Sequence, residues 1–156
     1  MSAYRAQALV EAPIDEIWGL VADPKRHPEW WPRIIEVRGE KFGTGDVFIV
    51  RSKGPTGEEE TNFIVQRRDE LHGIRFRCML TGTYADWKMT EAQGGTYLEV
   101  DFGMDDPIGV GSKFFDMTAG RVYFRRWVDQ SLEGLREAAT QPIVGTVAAA
   151  PDDARS

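Results

Sequence analysis

The chain has a single cysteine, Cys78, so no intrachain disulfide can form. That fits a reducing compartment. Two histidines, His27 and His72, are the other soft donors, and neither they nor Cys78 stand at metal-ligand spacing with carboxylates, so no metal site is expected. No stretch approaches the ~18 uninterrupted apolar residues of a membrane span. The opening residues, Met1 to Gln7, lack the apolar core of a signal peptide. Basic runs are missing as well, and the net charge is −6, which repels nucleic acid and anionic membrane alike. A serine-hydrolase elbow, Gly-x-Ser-x-Gly, does not occur. Gly43-Thr44-Gly45 lacks the lysine and the strand-to-helix setting of a phosphate loop, so it reads as a turn. These absences lead us to expect a soluble, cytoplasmic protein with no cofactor, no nucleic-acid partner and no integral membrane association.

What is present suffices for one domain: 156 residues, of which 42% are apolar. Residues 4–10 alternate as a half-buried strand does. Pro13 suits a first helical position, Asp15 and Glu16 follow where the helix dipole favours negative charge, and Ile14, Ile17, Trp18 and Val21 fall on one stripe. Asp23-Pro24 ends that helix, and a second short helix is expected from His27 to Trp31. Strand patterns then recur at 33–40, 46–53, 59–69, 72–80, 83–93 and 95–104, separated by glycine-rich turns. Short connections between them imply an antiparallel meander. A long helix is expected from Ser112 to Ala139, roughly 40 Å at 1.5 Å per residue. Residues 1–140 are therefore read as one domain and 141–156, rich in Ala, Pro, Gly and Asp, as a disordered tail.

This order defines an α+β fold of the helix-grip type: a seven-stranded curved antiparallel sheet around a long C-terminal helix, with two short helices after the first strand. A sheet of that size must bury one face. It also twists, so one helix cannot fill its hollow along the whole length, and the unfilled end is expected to be a cavity. Alternation puts Ile74, Phe76, Cys78 and Leu80 on the inner face, with Trp87 and Met89, and with Leu98, Val100, Phe102 and Met104. Met117 and Phe124 face them from the helix, where Met117, Phe124, Val128, Ser131 and Leu135 lie near one face. Such residues serve as plain core or as pocket wall; thioethers at Met89, Met104 and Met117 suit an adaptable wall.

The segment Glu11-Ala12-Pro13-Ile14-Asp15-Glu16-Ile17-Trp18, continuing to Asp23-Pro24 and Trp30-Trp31-Pro32, resembles the opening of the START-like (SRPBCC) superfamily, in its polyketide cyclase/dehydrase branch. Gly95-Thr96 and Ser131-Leu132-Glu133-Gly134-Leu135-Arg136 are similar too, so the resemblance spans about residues 4–139. It implies the helix-grip fold and an internal pocket, and it carries over no catalytic residue. By that resemblance the Gly54-Pro55-Thr56-Gly57 connection would gate the pocket mouth; the plainer alternative is a surface turn.

Three readings follow. The first is binding of a small apolar or amphipathic ligand, lipid-like or polyketide-like, against Trp31, Phe76, Trp87, Met89, Val100, Phe102, Met104, Met117 and Phe124. The second is an enzyme of the cyclase/dehydrase type, in which Arg51, Tyr84, Asp86, Arg121 or Tyr123 would reach the pocket as polar groups. The third is a ligand-free, co-chaperone-like module, which would need a filled interior. Trp31, Trp87 and Trp127 are the indoles free to meet a ligand; Trp18 and Trp30 match structural positions of the resemblance. His27 and His72 read as surface and turn residues, and Cys78 as an inert core thiol. A homodimer is left open.

Overall fold

Segments in which apolar side chains recur at every second residue become strands, and each stops where turn chemistry begins. A computed structural model describes residues 3–54, 57–105 and 119–140. The strands are β1 (Ala3–Val10), β2 (Ile34–Arg38), β3 (Val47–Gly54), β4 (Gly57–Asp69), β5 (Gly73–Cys78), β6 (Thr83–Ala92) and β7 (Gly95–Met104). All pair antiparallel in one sheet, in the order β1-β7-β6-β5-β4-β3-β2. The first strand joins the last, from Ala3↔Gly103 to Val10↔Thr96, so the meander closes back on its own start.

Curvature comes partly from β4, the longest strand. Its register against β5 shifts between Val65 and Arg67, so Gln66 is an extra residue. Such a bulge bends the strand and reverses which parity faces inward. Phe63 and Val65 pair with inward Cys78 and Phe76 before it; Arg68, not Arg67, pairs with buried Ile74 after it.

Between β1 and β2 the chain forms α1 (Ile14–Val21), a 3₁₀ turn (Pro24–Arg26) and α2 (His27–Trp30). The stripe of α1 buries Ile17, Trp18, Leu20 and Val21. Two indole N–H groups lock this layer. Trp18 Nε1 donates to Glu70 at 3.0 Å, and Arg68, which holds Glu70 from the same side, lies over the Trp18 ring. Trp30 Nε1 donates to the Leu20 carbonyl at 3.0 Å. Thr96 Oγ1 donates to the Ala12 carbonyl at 2.8 Å, tying the start of β7 to the end of β1.

The C-terminal helix, α3 (Gly120–Thr140), buries Phe124, Val128, Ser131, Leu132, Leu135 and Ala139. Phe124, Val128, Ser131 and Leu135 lie on the face expected from the sequence. The helix packs on β1 and β7, and touches α1 and α2 at its inner side. Gly134 makes that approach: a Cβ there would fall on the carbonyl oxygen of Trp30. The helix-grip architecture expected from element order is the one observed. Leu80 departs from it. Because β5 ends at Cys78, Leu80 lies in the turn beyond it and is exposed rather than inward. Residues 112–118, with Met117, lie outside the described residues, as do Pro55-Thr56 and 141–156. Among the described residues no helix is long and apolar enough to cross a membrane.

Candidate functional site

Because α3 leans on the β1–β7 flank, the inner face of β3, β4 and β5 is left with less to pack against. A cavity of about 300 Å³ lies there. Its floor is built by alternation: Phe48, Val50 and Ser52 from β3, Thr61 and Phe63 from β4, Phe76 and Cys78 from β5, Thr83 and Ala85 from β6. Met104 closes one side. Tyr123 and Trp127 of α3 form the roof, and His27, Trp31, Pro32, Arg33 and Ile34 form the end wall. Lys53 and Glu59 stand at the rim, both exposed.

The end wall is an aromatic cluster. Trp31 stacks between Trp30 (centroids 5.1 Å apart, planes 7° apart) and Trp127 (5.8 Å, 23°), with Trp87 edge-on at 5.5 Å. Its indole nitrogen, like that of Trp87, is buried with no hydrogen-bond partner. Trp18 and Trp30, in contrast, spend their N–H groups on scaffold contacts. The two pairs of indoles are thus separated by how they are satisfied.

Arg33 follows directly, and its backbone is left-handed at φ 73°. A non-glycine residue held there carries strain of order 1–3 kcal/mol. The Lys53 amide donates to the Arg33 carbonyl at 2.9 Å and fixes the turn from α2 into β2. The guanidinium donates to the Tyr123 hydroxyl at 2.8 Å and lies 4.8 Å from that ring's centroid. Burial raises the Tyr123 phenol's pKa, while the adjacent guanidinium opposes that rise. Arg33 has no carboxylate partner among the described residues, so its remaining N–H groups are available at the cavity wall.

His27 corrects the expectation of a surface histidine. It is 2% exposed, with rings of Trp30, Trp31 and Phe76 edge-on to it at 5.6, 4.7 and 5.2 Å. Its Nε2 donates to the Val21 carbonyl at 2.8 Å. Burial pushes its pKa down to about 4, so the ring is neutral near pH 7. Cys78 is buried, as expected, and also stands at the cavity floor.

Of the residues expected at a pocket, Trp31, Phe76, Met104 and Tyr123 meet at this cavity. The others do not. Trp87, Met89, Val100 and Phe102 face inward but pack as core; Phe102 backs Trp127 at 4.7 Å. Phe124 is fully buried in the helix–sheet seam. Arg51, Tyr84 and Asp86 sit on the outer face, because they have the opposite parity to Val50, Ala85 and Trp87. Arg51 pairs with Glu36 and Glu58, and Asp86 with Arg67 and Arg75. Tyr84 donates to Asp101 at 3.2 Å; burial and that carboxylate push its pKa up to about 12. Arg121 is exposed on α3. His27, Arg33 and the β3 face were missed; the Trp-Trp-Pro motif flanks the first two, and alternation opposite Arg51 marks the third. Among the described residues no three His, Cys, Asp or Glu side chains converge as a metal would require.

The family model described as "Polyketide cyclase / dehydrase and lipid transport" matches residues 1–140. No curated protein matches the chain. Among solved structures, protein NE0264 from Nitrosomonas europaea superposes with a TM-score of 0.68 at 13% identity, covering 87% of this chain and 92% of that one. An AHSA1-like protein from Aeromonas hydrophila gives 0.65 at 15%, covering 86% and 90%. The di-domain ARO/CYC StfQ of the steffimycin biosynthetic pathway gives 0.65 at 18%, covering 88% of this chain and 49% of that one. At these identities the likeness is one of fold.

Proposed function

The chain belongs to the polyketide cyclase/dehydrase and lipid transport family, and on that footing we propose that its cavity binds a small amphipathic ligand whose apolar body lies on the aromatic wall and whose oxygen-bearing end meets Arg33. The observation that carries this reading is a guanidinium with no carboxylate partner among the described residues, bonded to Tyr123 at the end of a cavity otherwise walled by Phe48, Phe63, Phe76 and Trp127. Apolar burial supplies the affinity, at ~25 cal/mol per Å² removed from water. The guanidinium supplies orientation, since its fork matches a carboxylate or enolate. A ligand-free module would call for a filled interior, which an open cavity of about 300 Å³ does not support.

The test is a titration with 2-naphthoate, read by tryptophan fluorescence, alongside native mass spectrometry of protein purified from its own host. Saturable quenching through Trp31 and Trp127 and a co-purifying small molecule are expected. Preparations that repeatedly carry nothing, with no saturable response to the probe, would overturn the reading.

An enzymatic version is favoured by one observation: the Arg33 guanidinium stands at the cavity wall, with His27 beside the same space. In that version the guanidinium stabilises an enolate oxygen of a polyketone-like chain while ring closure and loss of water proceed. The polyketide cyclase/dehydrase description of the family and the ARO/CYC relative support it. Recovery of a poly-β-ketone probe lighter by one water after incubation, and its absence with Arg33→Asn, distinguishes catalysis from carriage.

A further inference from the structure

We infer that His27 is a specificity-determining residue: through Nδ1 it offers the cavity a fixed hydrogen-bond acceptor and so selects ligands that carry a hydroxyl or N–H donor on an otherwise apolar body. This rests on the reading that the cavity binds a ligand.

The carbonyl oxygen of Val21 only accepts, so the 2.8 Å contact puts the proton on His27 Nε2. In a neutral imidazole the other nitrogen is then a bare lone pair. Among the described residues no N–H or O–H group reaches Nδ1. The buried polar side-chain atoms sealed without a partner are the indole nitrogens of Trp31 and Trp87, and Nδ1 is not one of them. An unpartnered atom that is not sealed touches open space, and the space His27 borders is the cavity.

The acceptor is also held in place. The rings of Trp30, Trp31 and Phe76 pack edge-on to the imidazole, and the Val21 bond resists a ring flip. Burial keeps it uncharged at neutral pH, so it accepts and does not donate. An ordinary core histidine has both nitrogens satisfied within the protein. Here one is left over, in an aromatic box where an unmet acceptor is costly. A ligand hydroxyl meets it; an ether of the same shape does not.

The experiment compares 2-naphthol with 2-methoxynaphthalene, which has the same rings but no donor. Calorimetry on the wild-type chain should show the naphthol bound at least about fivefold more tightly, the gain of one neutral hydrogen bond. His27→Phe should erase the preference. Because that variant strands the Val21 carbonyl and can misfold, the wild-type protein provides a second readout. The nitrogen-15 resonance of His27 Nδ1 should move upfield with 2-naphthol and stay put with the ether. Equal affinity for both probes, or a preference without movement of Nδ1, would overturn the assignment while leaving the cavity as a ligand site. Failure of both probes to bind would overturn the ligand reading, and this inference with it.

Discussion

At the residue scale, partners separate scaffold from site more sharply than residue type does. Arg33 illustrates this. Its left-handed backbone is compatible with asparagine, which tolerates that region. Arg33→Asn should therefore leave stability within about 1 kcal/mol while weakening 2-naphthoate about tenfold, the scale of a lost charged hydrogen bond. Naphthalene, which has no oxygen, should bind the variant as before. Calorimetry with both ligands checks it.

His27 makes a separate statement about acid. Its folded pKa of about 4 lies below the ordinary 6.5 because burial disfavours the charged ring. The unfolded chain thus takes up a proton first as pH falls below 6.5. Stability is fully present above that value and drains away toward pH 4, by on the order of 3 kcal/mol from this group. The groups packed on the ring are aromatic or the neutral Val21 carbonyl, so no charge offsets the loss. His27→Gln can keep a donor for Val21 without titrating. Urea unfolding of both proteins at pH 7 and pH 4.5 should show the wild type losing more.

At the element scale, Gly134 sets how closely α3 meets α2. Alanine in a helix interior ordinarily stabilises, by roughly 0.5–1 kcal/mol over glycine. Here its Cβ meets the Trp30 carbonyl. Gly134→Ala should instead destabilise by about 1–3 kcal/mol, the usual cost of overpacking, and a lowered thermal midpoint would register it. Strands, turns and the apolar stripe of α3 were legible in sequence because each rests on local periodicity: Phe124, Val128, Ser131 and Leu135 lie where spacing put them. Two things were not legible. The extra residue at Gln66 reverses inward parity midway along β4, which no local pattern announces. The burial of His27 depends on β5 supplying Phe76 from far along the chain. Tyr84 and Asp86 were a different matter: strict alternation with Trp87 and Met89 already placed them outside.

At the scale of the whole molecule, the cavity exists because α3 packs on β1 and β7 and leaves the β3–β5 flank less covered. Which inward residues become wall and which become core is decided by that offset, so Phe76 and Phe102, alike in sequence terms, part company. Ala85 sits on the floor. Ala85→Leu should abolish 2-naphthoate binding without lowering the melting temperature, since added methyl groups enter unfilled space. Fluorescence titration and a melt on the same sample decide it. Untouched binding would mean the ligand lies elsewhere.

The offset helix also divides the labour of the sheet. One flank holds the chain together and tolerates little rewriting. The other, carrying Phe48, Thr61, Phe63 and Thr83, answers to whatever occupies it. A lineage built on this plan can change its guest by editing that flank alone, and keep folding while it does so.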